Sequence, residues 1–497
     1  MDRVFSGSAL LVFPFWLAML AAPRWRVTRM VMGSPAVVLG AVALYAWLVL
    51  PALGTVLPVV VHPTLATVMA LLNQPAAATA AWAHFLAFDL FVGRWIYLDA
   101  LDRKLPRPAV AATLVLTLLL GPLGLASYLA LRTVPWSRLL RVGRDLRAAN
   151  GPLTLLGVAS LGLLGASLIL QTVDHRVVLG VSTWMKPAKF AASVAIAAFT
   201  LAWILGQLDG RTRGLRRAAA IIVSMASLEL VIITIQAARG VPSHFNARTS
   251  VDVIAFAVMG AGITIFWLAE GFVFLRALRH RFADAAVGWG IRLGLGIALG
   301  GGAVAFLMTQ PTPAQVETLK ARAKTGQPAP LVGAHAVGVP DGGPGLPVTR
   351  WSTEGGDLRV PHFIGLHALQ ALPLAGVLLA RRRRRAIERG VDEATATTRA
   401  NGFTLAVGLG YLGLTAVTLV QALRAQPFLA PDHLTWVLVV LAAFPALAVA
   451  AAAAAARWRT PAPRIAGPSP IALWRPRSMR SQRHAGPATP PRVAPPV

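Results

Sequence analysis

Apolar residues in this chain fall into long unbroken runs, not into the alternation of a half-buried strand or the three-to-four spacing of a soluble amphipathic helix. A helix rises about 1.5 Å per residue, so about 20 apolar residues cross a hydrocarbon core about 30 Å thick. Twelve runs approach that length. In the first half they are Ser8–Ala22, Ala36–Val61, Ala80–Leu98, Ala109–Leu131, Leu153–Val173 and Phe190–Leu208. The rest are Ala218–Ala238, Val251–Leu275, Val287–Met308, Pro361–Ala380, Phe403–Leu423 and Leu434–Ala456. The pattern predicts an all-α, polytopic transmembrane helical bundle of about 12 spanning helices. The first run follows Met1-Asp2-Arg3 and reads as a retained anchor helix, because no small-residue cleavage pattern leads out of it.

Composition agrees: 56% of the 497 residues are hydrophobic and 13% charged, about half the charge of a soluble domain. The net charge of +28, from 47 Lys plus Arg against 19 Asp plus Glu, would suggest nucleic acid in a soluble protein. Here it sorts by loop. From the fifth run onward every second connection is basic: Arg132–Arg147, Arg211–Arg217, Arg276–Arg281, Arg381–Arg389 and the tail from Arg457 hold 26 arginines, against eleven Lys and Arg on the alternate side. Basic loops mark the cytoplasmic face, so the expectation is a plasma-membrane protein with both termini cytoplasmic, lipid as a partner and no nucleic acid. Arg24, Arg26 and Arg29 fall on the wrong side of this scheme, and a missed or re-entrant segment near Thr64–Leu72 would reverse the first four helices. With no cysteine in the chain, disulfides and thiolate chemistry are excluded.

The basic stretch divides the chain into a four-helix unit (1–135), a linker (136–151), an eight-helix unit (152–456) with a long outer loop (309–360), and a Pro/Arg-rich tail (457–497) that is too polar to build a core. No internal repeat is visible. Gly290, Gly294, Gly296 and Gly300 to Gly302 supply small residues that let helix backbones approach closely.

Charge at membrane depth is costly and calls for a reason. The third run carries His84, Asp89, Arg94 and Asp99, with Asp89 near its middle. Five residues turn a helix by about 140°, so His84, Asp89 and Arg94 are not stacked on one face, and Tyr45, Thr113 and Thr117 are the polar candidates on neighbouring helices. These residues either knit the bundle together or line a pocket that handles a proton or a substrate oxygen.

The stretch His84–Asp99, with its Asp-Leu-Phe-Val-Gly-Arg-Trp core, and the later Gly121-Pro122-Leu123-Gly124 are similar to the neoxanthin-synthase-like (abscisic acid-deficient-four-like) membrane family. Phe13-Pro14-Phe15-Trp16 and Ser34-Pro35 fit as well. The resemblance covers residues 5–135. It implies a four-helix membrane protein without a metal or organic cofactor, linked to opening a carotenoid epoxide to an allene. An acid in a dry pocket would protonate the epoxide while a base removes a proton. His84, Asp89, Arg94 and Asp99 are therefore the candidate catalytic set, with a carotenoid or other hydrophobic isoprenoid as ligand.

The eight-helix unit resembles no named family, and its polar residues gather toward the outer side. Glu229 lies mid-helix with Gln236 on nearly the same face, His244 follows in the next loop, and His362 and His367 enter from the same end. Lys186 and Lys189 open the sixth helix at its positive dipole end, where something must offset them: an anionic ligand, a lipid phosphate, or a carboxylate such as Glu354 or Asp357. These residues form the candidate substrate or ligand pocket, with the turn-rich 341–357 segment as its lid and Glu229, His244 and His367 as its lining. His335 is read as lying in a flexible loop. Two alternatives accompany this reading: a membrane redox protein with haem or metal on the histidines, and a proton-coupled carrier relaying protons through Asp89 and Glu229. No metal site is assigned and no cofactor is expected, since His362 and His367 do not share a stripe and no His-x-x-x-His or Glu-x-x-His pair accompanies them.

Overall fold

The computed structural model describes residues 1–208, 212–325 and 332–456; the tail from Arg457 and Arg211 of the basic loops lie outside these. Twelve helices are long and apolar enough to cross a membrane, one for each predicted run. They are Asp2–Ala21, Pro35–Val61, Pro75–Asp102, Arg107–Thr133, Gly151–Val173 and Met185–Gln207, then Arg213–Arg239, Ser250–Arg279, Ala285–Met308, Arg359–Glu388, Glu393–Leu423 and His433–Ala455. The protein is an all-α, multi-pass membrane protein, and its strands among the described residues are four two-residue pieces.

The helices begin where capping chemistry allows. Asn150 accepts from Leu153 N, Thr249 from Asp252 N, Asp284 from Ala286 and Val287 N, Asp392 from Thr395 N, and Asp432 from Thr435 N. Each bond satisfies an orphan amide that hydrocarbon could not. The segment around Thr64–Leu72 forms a helix, Leu65–Leu72, closed by a Thr64/Thr67 capping box. Eight residues extend only about 12 Å, too short to cross. The linker is also helical: Trp136–Ala149 carries Arg138, Arg141, Arg144 and Arg147, and its Leu146 packs on the larger core.

Two large hydrophobic cores, with two smaller clusters beside them, form among the described residues. One joins Trp16, Met19, Met32, Leu90, Tyr97 and Tyr128 of the first four spans. The other runs from Leu153 to Leu369 through the fifth to tenth spans. Within the second, the ninth and tenth spans approach backbone to backbone. A Cβ on Gly301 would lie 2.6 Å from Gly365 Cα, and one on Gly290 2.4 Å from Leu372 O, so the glycine stripe is a packing seam, as read from sequence.

The connections 174–184, 240–249, 309–325 with 332–358, and 424–432 gather at one end of the bundle, referred to below as the cap. The long segment carries helix Pro313–Thr325 and a small hairpin in which Ala336–Val337 pairs antiparallel with Gly356–Asp357. Val332 N donates to Phe245 O, Ala334 N to Met308 O, and Leu358 N to His335 O, tying the long segment to the 240–249 connection, to the end of the ninth span and to the residue before the tenth.

Candidate functional site

In the first four spans, most of the distinctive sequence is scaffolding. Gly93 leaves room for the buried Trp16 ring, since a Cβ there would meet its Cη2 at 2.3 Å. Arg94 donates to Gly33 O at 2.7 Å and Ser34 O at 3.2 Å, closing the C-terminus of the short helix Arg26–Gly33. Trp95 meets Tyr128 edge to face at 5.5 Å, with the Arg132 guanidinium 5.4 Å over its ring. Asp99 accepts from Tyr128 Oη at 2.6 Å and Arg103 Nε at 2.8 Å, with Arg132 at 3.6 Å. Arg94 and Asp99 are therefore structural ties, and the four candidate catalytic residues do not converge. Fifteen residues separate His84 from Asp99 on one straight helix, a rise of about 22 Å.

Asp89 is different. It is half-buried, and no hydrogen bond or ion pair reaches its carboxylate among the described residues. It faces a break in the fourth span, where Leu120 (φ −139°, ψ 35°) and Gly121 (φ 14°, ψ −81°) leave the helix ahead of Pro122. Pro122 has no N–H for the preceding turn. A Cβ on Gly121 would sit 2.5 Å from Asp89 Oδ1, and one on Gly124 2.2 Å from Thr117 N, so Gly121 makes the room that Asp89 occupies and Gly124 admits the Thr117 backbone at the break. Thr113 and Thr117 bond backbone carbonyls of their own helix and leave Asp89 alone. The surroundings are apolar and open to the bilayer: Phe85, Phe88, Leu120 and Leu123 are exposed. His84, one and a half turns away, stacks on Phe88 at 4.6 Å and meets Tyr45 at 5.7 Å. It too has no hydrogen-bond partner among the described residues.

The cap end of the larger unit brings part of the predicted pocket together. His244 Nε2 lies 3.4 Å from Glu229 Oε1, Phe190 flanks the imidazole at 5.5 Å, and Lys186 sits 5.9 Å from the Phe190 ring. The charge facing Lys186 is that of Glu229. The expected neutralising partners are otherwise engaged: Asp357 takes Arg359 and Ser352 N, and Glu354 is exposed. Burial is the main reason that the His244 imidazole sits well below its usual value, with Lys186 and His335 adding to the effect.

Three predicted members lie elsewhere. Gln236 bonds Asp252 and Arg239 at the end of the seventh span. His362 donates from Nδ1 to Gly301 O at 2.7 Å, and His367 to Gln370 Oε1 at 3.1 Å; neither contacts Glu229. Nor is His335 loose. It donates to Asp341 through Nδ1 at 2.8 Å, and Asp341 also accepts its backbone N–H and that of Ala336. These bonds hold the Asp341 carboxyl down at about 2 against the cost of burial. Among the described residues no three His, Asp or Glu side chains form a set that could hold a metal ion.

Two buried acids carried no assignment from sequence: Asp252, which is paired with Arg239 and Gln236, and Glu270. Glu270 of the eighth span is 4% exposed and has no hydrogen bond or ion pair among the described residues. An acid inside the apolar run Phe266-Trp267-Leu268-Ala269 was the available signal.

Residues 3–128 match the model of the ABA4-like family, described as ABA DEFICIENT 4-like. A 140-residue stretch is 26% identical to Protein ABA DEFICIENT 4, chloroplastic, of Arabidopsis thaliana, covering 27% of this chain. The chain spans 62% of the length of that relative. No solved structure matches. The aligned segment coincides with the first four spans, so that this part of the chain, with Asp89 at its helix break, is similar to the ABA DEFICIENT 4-like family.

Proposed function

We propose that the first four spans bind a carotenoid or another long isoprenoid from within the bilayer, and that Asp89 supplies the acid of an isomerisation of the epoxide-opening kind. The observation carrying this reading is a carboxylate with no partner among the described residues, set against a helix break on a face that carries exposed phenylalanines and leucines. The other motif residues are spent on packing and ties, which leaves Asp89 for chemistry.

Such an isomerisation is proton-neutral. One proton goes to the epoxide oxygen as its C–O bond opens, and one leaves an adjacent carbon as the new double bond forms. Asp89 is the proposed donor. His84, about 7.5 Å along the same helix, is the proposed base, and its stack on Phe88 would hold the ring beside a polyene. A hydrophobic ligand reaches this groove sideways through the membrane without crossing water. The similarity of residues 3–128 to ABA DEFICIENT 4-like proteins supports the choice of ligand class.

The test is expression in a host that accumulates epoxy-carotenoids, with pigments separated by chromatography. The wild-type chain is expected to shift the pigment profile and Asp89→Asn to abolish the shift while accumulating to the same level. An Asp89→Asn chain as active as wild type removes the acid role. A wild-type chain that neither alters nor retains any isoprenoid removes the reading altogether.

A further inference from the structure

The cap end holds a second feature that is independent of Asp89. Lys189 Nζ lies 3.5 Å from Thr349 O, and Arg359 Nη2 donates to the adjacent Arg350 O at 2.6 Å. Lys189 thus stands within electrostatic reach of both Arg359 and Arg350, with Lys186 behind, acting on Arg359 in turn. Lys189 of the sixth span and Arg359 at the start of the tenth meet at the Thr349-Arg350 dipeptide, whose Arg350 adds a third cation. Like charges held this close raise the free energy unless an opposite charge sits among them.

The acids at this end do not fill that place. Asp357 is consumed by Arg359 and Ser352 N, Asp341 by His335 and two backbone N–H groups, and Glu229 faces His244 and Lys186. Neither Lys189 nor Arg350 has a carboxylate within ion-pair distance among the described residues. Thr349 Oγ1, in the residue whose carbonyl Lys189 reaches, is buried without a hydrogen-bond partner among the described residues. A hydroxyl in that state is costly, and it points to a missing neighbour. Thr349 is held there by an unusual backbone, with Val348 and Arg350 on either side at φ 63° and 61°.

The unused hydrogen-bonding capacity consists of two flexible cations and an orphan hydroxyl, beside a guanidinium already oriented by Asp357. The complementary ligand is an oxyanion, and groups arriving from three directions suit the tetrahedral array of a phosphoryl group better than a two-oxygen carboxylate. We propose that Lys189, Thr349, Arg350 and Arg359 form a binding site for a phosphate group at the cap end of the larger unit, with Lys186 as supporting charge. The phosphate comes from a lipid headgroup or from a soluble phosphate compound. Trp351, packed on Phe363 and Phe428 at 5.6 and 5.7 Å, provides an aromatic wall beside the site.

The experiment uses the full chain in a neutral detergent and follows its thermal unfolding by tryptophan fluorescence. One arm titrates inorganic phosphate at ionic strength matched with chloride. The other titrates water-soluble dihexanoyl phosphatidylglycerol. A saturable rise in the unfolding midpoint with phosphate identifies a soluble ligand, and a rise with the phospholipid alone identifies a headgroup; either supports the site. Lys189→Gln, Arg350→Gln and Thr349→Val should each weaken the apparent affinity about tenfold, the loss expected of one charge-assisted hydrogen bond, while Asp89→Asn leaves it unchanged. The Arg350 side chain is exposed and has no hydrogen bond or ion pair among the described residues, so Arg350→Gln keeps the test available if another variant does not fold. No rise in either arm beyond chloride, or equal rises in wild type and Arg350→Gln, overturns the proposal.

Discussion

Asp89 and Asp99 stand ten residues apart on one helix, and the structure gives them opposite duties that substitution can separate. Asp99→Ala removes the acceptor of the Tyr128 hydroxyl at 2.6 Å and of Arg103 at 2.8 Å. Tyr128 is 0% exposed, so its phenol loses its partner with no water to replace it, at a cost of about 1–3 kcal/mol. The Arg103 side chain is 44% exposed, and its bond adds at most about 1 kcal/mol. The expected destabilisation is thus about 1–4 kcal/mol. Asp89→Asn breaks no hydrogen bond and keeps the side-chain volume, so stability should move by no more than about 0.5 kcal/mol while pigment conversion is lost. Equilibrium unfolding in mixed micelles, read by tryptophan fluorescence, gives the first quantity, and pigment chromatography gives the second. If Asp89→Asn proves as destabilising as Asp99→Ala, or if Asp99→Ala leaves stability untouched, the division between tie and acid is wrong.

Other expectations follow from the same contacts. Gly93→Ala drives a methyl into the Trp16 ring and should destabilise by about 1–3 kcal/mol, whereas Gly165→Ala, with nothing within 4 Å of its Cβ, should not; a Trp16→Leu background that fails to relieve Gly93→Ala counts against the contact. Gly121→Ala pushes only the end of the Asp89 side chain, so conversion should drop while the unfolding midpoint shifts little; an undisturbed pigment profile would contradict the role of the helix break. His244 is kept neutral in the folded chain by burial and by Lys186, whereas the unfolded chain takes up a proton near 6.5. Stability should therefore fall as pH drops below about 6.5, and His244→Gln should flatten that slope. Asp341, held at about 2 from an ordinary 3.8, adds a further loss as pH falls across that interval, measurable by acid titration of the unfolding midpoint. The absorption spectrum of purified protein separates ligand classes, since a three-banded polyene spectrum favours the isoprenoid reading and a Soret band that shifts on reduction refutes it.

Much of the architecture was legible because hydropathy is a local property. Each span is a run of residues that meets the membrane thickness by itself, whatever its neighbours are, and all twelve appear where the runs lie. The glycines at 290, 294 and 301 were likewise readable as a seam, since small residues at helical spacing have one common use in lipid. Capping residues such as Asn150 and Asp284 fixed span starts through bonds to amides two or three residues on. The ionisable groups were readable mainly as a set, marked out by their unusual depth. The one local difference was Arg103, four residues after Asp99. Tyr128 and Arg132 beside Asp99, and the lack of any partner for Asp89 among the described residues, were not visible in sequence.

That distinction belongs to the tertiary structure, because a partner's identity depends on residues far off in the chain. Tyr128 reaches Asp99 across 29 positions, Arg94 reaches Gly33 across 61, and Gly121 makes room for Asp89 only because its helix breaks there. The same holds at the cap, where sequence offered Glu354 and Asp357 as counter-charges to Lys186 and the folded chain supplies Glu229 from a neighbouring span. Lys189, 160 residues from Thr349, carried no hint of Arg350 and Arg359 beside it. Sequence by itself determined that this chain lives in a membrane and where it crosses, since transfer into hydrocarbon is decided residue by residue. Which charges are neutralised and which remain free was decided by three-dimensional packing, since electrostatic energy depends on distance through space.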